Sequence, residues 1–140
     1  MKEVKFTIPG PPFGKQRPKF TSVGKFAKAY TPEKTQNYET FVKWCYQEKC
    51  NFRFEDGAML DVRILAYYSI PKSTSKKKRA LMLEHKIRPT KKPDWDNIGK
   101  IVCDSLNEIA YKDDRMVVDA QVRKFYSDNP RVEVIIREVE

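Results

Sequence analysis

The chain has 140 residues, with 28 Lys and Arg against 19 Asp and Glu and a net charge of +9. That length is the size of one domain, and 12% aromatic residues argue against a disordered chain. The excess of base implies a polyanionic partner, nucleic acid or an anionic membrane surface, while no apolar run is long enough to cross a bilayer.

Glu3-Val4-Lys5-Phe6-Thr7-Ile8 alternates polar and apolar residues and predicts a half-buried strand. No apolar signal-peptide core precedes it. The three cysteines, Cys45, Cys50 and Cys103, and one histidine, His85, do not have the number or spacing of a zinc site. Three buried thiols in a cytoplasmic, non-membrane protein are expected.

Residues 9–31 hold Pro9, Gly10, Pro11, Pro12, Gly14, Pro18 and Gly24, which predicts a long loop or a pair of loosely formed strands. Thr31 is the expected N-cap of a helix with Pro32 as its first helical residue. That helix runs to about Lys49 on a face of Tyr38, Phe41, Val42 and Cys45. Met59 to Ile70 is the clearest strand, with Leu60, Val62, Ile64, Ala66, Tyr68 and Ile70 on one side. After Pro71, a short basic helix is expected from Lys76 to about His85, then a connection holding Pro89 and Pro93. A further helix is predicted from about Asp96 to Glu108, burying Ile98, Ile101, Val102, Leu106 and Ile109. Two strands, Met116–Tyr126 and Arg131–Val139, close the chain, with Asp128-Asn129-Pro130 expected as a hairpin turn. The fold class is α+β: one domain over residues 1–140, with a mixed, mostly antiparallel sheet of four or more strands and two to three helices.

Charge is unevenly distributed. Residues 1–70 carry a net of +5, residues 71–93 a net of +8, and residues 94–140 a net of −4. Two basic clusters stand out. One is Lys76-Lys77-Lys78-Arg79, and the other is Lys15, Arg17 and Lys19 within the Pro/Gly-rich segment. A run of lysines on a helix is commonly a solvated face, but two separate clusters favour a phosphate-binding surface.

The acidic region begins Lys91-Lys92-Pro93-Asp94-Trp95-Asp96-Asn97. Pro93 keeps the chain extended, so Asp94 and Asp96 point to the same side. Lys100 follows Asp96 by one helical turn. A second pair, Asp113-Asp114, follows the helix and is expected to return beside Asp94 and Asp96. Each acidic motif alone reads as a cap or a turn. Together, just after the most basic segment, they suggest carboxylates that would repel unless a cation lay between them. Hard oxygen donors select Mg²⁺ or Mn²⁺, which suits phosphoryl chemistry.

Lys92-Pro93-Asp94-Trp95-Asp96-Asn97-Ile98-Gly99-Lys100, Asp104-Ser105-Leu106-Asn107 and Tyr111-Lys112-Asp113-Asp114 together resemble the signature of the RusA family of Holliday-junction resolvases, found in bacteria and often in phages and prophages. Gly10-Pro11-Pro12-Phe13-Gly14-Lys15-Gln16-Arg17-Pro18-Lys19, Tyr30-Thr31-Pro32 and the helix near Tyr38-Glu39 are similar to the family's N-terminal part. The resemblance implies a homodimeric, Mg²⁺-dependent endonuclease, with Mn²⁺ a possible substitute, making paired nicks in four-way DNA junctions during recombination and repair. It maps the metal ligands onto Asp94, Asp96 and one of Asp113 and Asp114, with Asp114 favoured, and a catalytic lysine onto Lys100. Many members have Gly after the residue matching Asn107; here it is Glu108. Within this picture Asp104 orients Lys100 or simply forms a solvated helix pair with it, and Asn97 caps the helix or supports a ligand. Trp95 packs, or else stacks on an exposed base. DNA-phosphate contacts fall to Lys15, Arg17, Lys19, Lys76, Lys77, Lys78 and Arg79. The competing readings are a non-catalytic basic nucleic-acid-binding module and a metal nuclease for other branched DNA.

Overall fold

The computed structural model describes residues 2–23 and 26–140, and side chains at 20–28 and 30 lie outside that description, as do Gly24 and the Tyr30 side chain of the N-terminal motif. The elements follow in the order β1 (Glu3–Pro9), β2 (Lys19–Val23), β3 (Phe26–Tyr30), α1 (Glu33–Lys49), β4 (Leu60–Ser69), α2 (Lys76–Leu83), α3 (Trp95–Ser105), β5 (Val117–Ser127) and β6 (Arg131–Glu138), with a 3-10 turn at Asp114–Met116. The α+β class is as the sequence predicts.

The main sheet has the order β1-β6-β4-β5. β6 is antiparallel to both β1 and β4, and β5 runs parallel to β4. Alternation along β4 puts Leu60, Val62, Ile64, Ala66 and Tyr68 on one buried face. Phe6 and Ile8 of β1 and Val132, Val134 and Ile136 of β6 extend that face. Ile98, Ile101, Val102 and Leu106 at the end of α3, and Val42, Cys45 and Tyr46 of α1, close over it as a second layer. Each such side chain taken fully from water contributes roughly 1.5–3 kcal/mol, which fixes both helices on that face. β2 and β3 form a separate antiparallel pair, the second of the two forms expected for this segment.

Three expectations are corrected. Asp128-Asn129-Pro130 is not a hairpin turn, because β4 lies between β5 and β6. The connection needs to cross two inter-strand spacings, about 9.5 Å, which three extended residues can reach at about 10 Å. Pro32 is the N-cap rather than the first helical residue: its ψ is 144°, and its carbonyl accepts from Gln36 N–H at 3.1 Å. Cys103 is only partly buried, unlike Cys45 and Cys50.

Helix ends also differ from their predicted positions. α2 stops at Leu83 because His85 adopts a left-handed φ of 64°. α3 starts at Trp95 with Asp94 as N-cap and ends at Ser105 with Leu106 as C-cap, and Glu108 beyond it turns to a φ of 66°.

Candidate active site

α3 and the loop before β2 build the site together. Gly10 takes a φ of 99° and donates its N–H to Pro130 O at 3.1 Å, turning the chain away from β1. Pro12 is buried, and Phe13 stacks on Tyr38 with ring centres 5.2 Å apart. Lys15 N–H then donates to Asn97 O at 3.0 Å. A β-carbon on Gly14 would lie 2.8 Å from Pro93 Cβ and 3.1 Å from Asn97 Cβ, so only glycine lets the loop come this close to the start of α3. Gln16 accepts from the buried Thr35 hydroxyl at 3.1 Å. A cleft of about 610 Å³ forms along this seam, lined among others by Lys15, Arg17, Lys92, Asp94 and Asn97.

The N-terminal end of α3 is held from below. The Tyr68 hydroxyl donates to Pro93 O at 2.5 Å, and the Lys92–Pro93 peptide is cis. Burial, reinforced by the charge of Asp94, pushes the Tyr68 phenol well above its ordinary range. Lys124 of β5 donates to Lys91 O at 2.7 Å. Burial lowers its ammonium pKa, while the nearby Asp94 carboxylate opposes that shift. Lys124 went unrecognised in the sequence, although alternation in β5 places it beside Val122 and Tyr126 on the helix-bearing face. A lysine at an inward position was the available signal.

Asp94 and Asp96 sit at this end, exposed, and neither carboxylate forms an ion pair or side-chain hydrogen bond among the described residues. The capping role that a lone Asp-x-Asp-Asn motif would suggest is not taken by the Asp94 side chain. Trp95 between them is 64% exposed rather than packed. Asn97 is partly buried and holds the loop through its backbone carbonyl.

The C-terminal half of α3 holds a different arrangement. The Lys15 ammonium lies 3.0 Å from Glu39 and 3.5 Å from Asp104, with all three side chains about four-fifths buried. Lys100 reaches Asp104 at 3.4 Å rather than Asp96. Asp114 is within hydrogen-bonding reach of Asp104; burial first, then Asp104 and Asp113, raise its carboxyl pKa, and Lys100 partly offsets them. Asp113 is turned away: it accepts from Arg115 N–H at 3.0 Å and caps the 3-10 turn. Cys103 lies in the same neighbourhood, its thiol pushed up to about 11 chiefly by burial, so it stays protonated at neutral pH.

The expected return of Asp114 to Asp94 and Asp96 is therefore not what the structure has. Among the described residues, no three carboxylate, thiol or imidazole groups come close enough to hold a metal ion. The acids instead divide between the two ends of α3. The donors still fit a hard divalent ion in kind: Asp94 and Asp96 are free oxygen ligands, and Asp114 carries a carboxyl whose ionisation a cation would favour.

The basic residues divide as well. Arg17 and Lys19 are exposed, as are Lys76, Lys77 and Lys78 on α2, whose N-cap Ser75 accepts from Lys78 N–H. Arg79 pairs with Asp128, and Lys15 is turned inward. Glu39, on the helix near Tyr38, is the partner that holds Lys15.

A family model described as endodeoxyribonuclease RusA matches residues 9–137. The chain belongs to the RusA endodeoxyribonuclease family. YqaN of Bacillus subtilis (strain 168), an uncharacterized protein, is 40% identical over 139 residues, covering 97% of this chain and 96% of that protein. RusA membership implies a metal-dependent nuclease with DNA as substrate. The match takes in the loop from Gly10 and the start of α3, which build the cleft, and also the rest of α3 and the Asp113-Asp114 turn. Among the described residues, no helix of this RusA-family chain is long and apolar enough to cross a membrane.

Proposed function

We propose that the protein is a Mg²⁺-dependent endonuclease that resolves four-way DNA junctions as a homodimer, with Mn²⁺ as a working substitute. The observation that carries this reading is the pair of uncommitted carboxylates, Asp94 and Asp96, the first of which lines a cleft bordered by Arg17 and Lys92. Free acids beside cations suit a site where metal and phosphate are both to be bound.

Asp94 and Asp96 would hold the ion, and Asp114, which lies toward the other end of α3, would have to swing toward them to join. When bound, the ion supplies charge neutralisation at the scissile phosphate and a water of lowered pKa. Hydrolysis forms one P–O bond to water and breaks one P–O bond of the backbone, and the released alkoxide takes up a proton. Lys100 stabilises the negative charge that grows on the phosphoryl oxygens. Asp104 orients Lys100 through their 3.4 Å contact, and Lys15 holds Asp104. Trp95, exposed beside the acids, stacks on a base unpaired near the branch point. Arg17, Lys19, Lys76, Lys77 and Lys78 bind backbone phosphates without reading sequence. Two paired nicks require two equivalent sites, which a two-fold dimer supplies.

The test is a panel of labelled four-way junction, flap, duplex and single-stranded substrates with Mg²⁺, Mn²⁺ or Ca²⁺. Symmetric nicks in the junction with the first two ions, and binding without cutting in Ca²⁺, are the expected results. Preferential cutting of flaps would replace the junction with other branched DNA. Binding of all substrates without cutting in any ion would leave a non-catalytic module. Sedimentation of the protein with and without junction tests the dimer.

A further inference from the structure

The open face of the sheet, opposite the two packed helices, carries cations laid over aromatic rings. Phe125 of β5 is buried and stacks on Tyr67 of β4, with ring centres 5.6 Å apart. The guanidinium carbons of Arg88 and Arg123 lie 4.4 Å and 5.1 Å from the Phe125 ring centre. His85 covers the same ring at 4.5 Å. Arg131 lies over Tyr67 at 4.0 Å, but it is engaged by Glu133 at 2.7 Å and by Ser127 and Asn129. Arg88 and Arg123 differ. Arg88 commits Nε to Lys124 O at 2.8 Å, and neither guanidinium has an acidic partner among the described residues. The nearby acids are taken, Glu133 by Arg131 and Asp128 by Arg79.

A guanidinium stacked flat on a ring keeps its in-plane N–H groups directed outward, in the fork that fits a phosphate. Holding it there also removes part of the entropy otherwise lost on binding. An aromatic layer needed only for packing would not require two unpaired positive charges over it.

We propose that Arg88 and Arg123 form a second phosphate-binding surface for DNA on the open face, continuous with the cleft around the edge strand β5. The continuity lies in consecutive residues. β5 ends the sheet, and Lys124, next to Arg123, faces the other side, where it holds Lys91 O and senses Asp94. Arg88 reaches the backbone of that same lysine, and Arg79 ties α2 to the residue just beyond β5. A DNA arm leaving the cleft along this edge meets cations on both faces of one strand. This inference rests on the nuclease reading for its choice of ligand and deepens that reading by naming where an arm of the substrate runs.

The experiment measures anisotropy of a labelled four-way junction, without divalent metal, between 50 and 200 mM salt. Arg88→Met with Arg123→Met removes two phosphate contacts, so the log–log salt slope becomes shallower by about 1.8. Over that range the native protein loses ~12-fold more affinity than the variant. Arg123→Met alone, at a site with no hydrogen bond to lose among the described residues, shifts the slope by about 0.9 and serves if the double variant melts early. Arg88→Lys with Arg123→Lys keeps the charges and hence the slope. A double or single Met variant that melts normally and keeps the native slope overturns the proposal. A junction that is bound but never cut in Mg²⁺ sinks the nuclease reading instead, and the slope comparison still stands.

Discussion

The two ends of α3 carry acids of the same type in opposite states. At Asp94 and Asp96 the carboxylates are exposed and unpaired, on a first turn whose backbone is anchored by Tyr68 and by the loop at Lys15. At Asp104 the carboxylate is largely withdrawn from water and held by Lys15 and Lys100, with the partly buried Asp114 beside it. The difference separates two tasks. Asp94 and Asp96 stand free and hydrated for an incoming cation, whereas Asp104, which positions the catalytic lysine, is already engaged. The same residue, placed eight or ten positions apart, serves each task by burial alone.

The sharpest way to break this division is at the free end. Asp94→Asn or Asp96→Asn should reduce junction cutting by about 10³-fold or more, since a cation stabilises several kcal/mol of transition-state charge. Binding and melting temperature should stay near native values, because neither carboxylate holds any part of the fold. A variant that still cuts, or one that unfolds, would remove the free end from the active site.

At the engaged end, Asp114→Asn should also stop cutting, but with an opposite signature in stability. The folded protein raises the Asp114 pKa, so its ionised form is disfavoured relative to the unfolded chain. That destabilisation is present above the folded pKa and vanishes below the ordinary carboxylate value of about 4. In chelator at pH 7 the variant should therefore melt above the native protein, and the gap should close as pH falls below that value. Added Mg²⁺ should raise native melting more than variant melting. A variant that melts lower at pH 7 would mean that the carboxylate is a stabilising partner and not a strained ligand.

The sequence made the free end legible and hid the engaged one. Pro93 before Asp94, and the period of Ile98, Ile101, Val102 and Leu106, are local signals that put two acids at a helix start. The alternation in β4 located the central strand for the same reason. Other features depended on contacts distant along the chain. Lys15 reads as one more base in a basic run until Glu39 and Asp104 fold against it. The route of β6 past β4 depends on which edges pair, and three turn residues fit a hairpin and a crossing equally well. Asp113 and Asp114 differ only in which one the 3-10 turn uses as a cap. Net charge counted Lys15 together with Lys76, Lys77 and Lys78, although only the last three are exposed to a polyanion.

That contrast gives a test with a smaller effect. Lys15→Met leaves Glu39 and Asp104 without their shared cation and releases Lys100 from a fixed position. Turnover should fall by about 10- to 100-fold, the scale of a displacement near 1 Å at a reacting group. The salt slope of binding should remain native, since no phosphate contact is lost. Lys15→Arg keeps a cation between the two acids and should recover part of the rate. A shallower slope with normal turnover would return Lys15 to the DNA-binding set.

The smallest effect lies where α3 ends. Glu108 has a φ of 66°, the left-handed region that costs a side-chain-bearing residue about 1–2 kcal/mol. The turn demands it, because Glu108 N–H donates to Tyr111 O at 2.7 Å and its carbonyl accepts from Arg53 at 3.1 Å. Both are backbone contacts that glycine would keep. The side chain adds only an exposed ion pair to Arg53 at 3.3 Å, and such pairs contribute little. Glu108→Gly should thus relieve the strain, offset in part by roughly 0.4–1 kcal/mol of extra freedom in the unfolded chain. A net gain of about 1 kcal/mol, or roughly 3–4 °C in melting temperature, is expected. Cutting should not change, because Glu108 lies beyond the engaged end and touches none of its acids. A loss of stability would show that the Arg53 pair outweighs the strained φ, and that the end of the helix is held by charge after all.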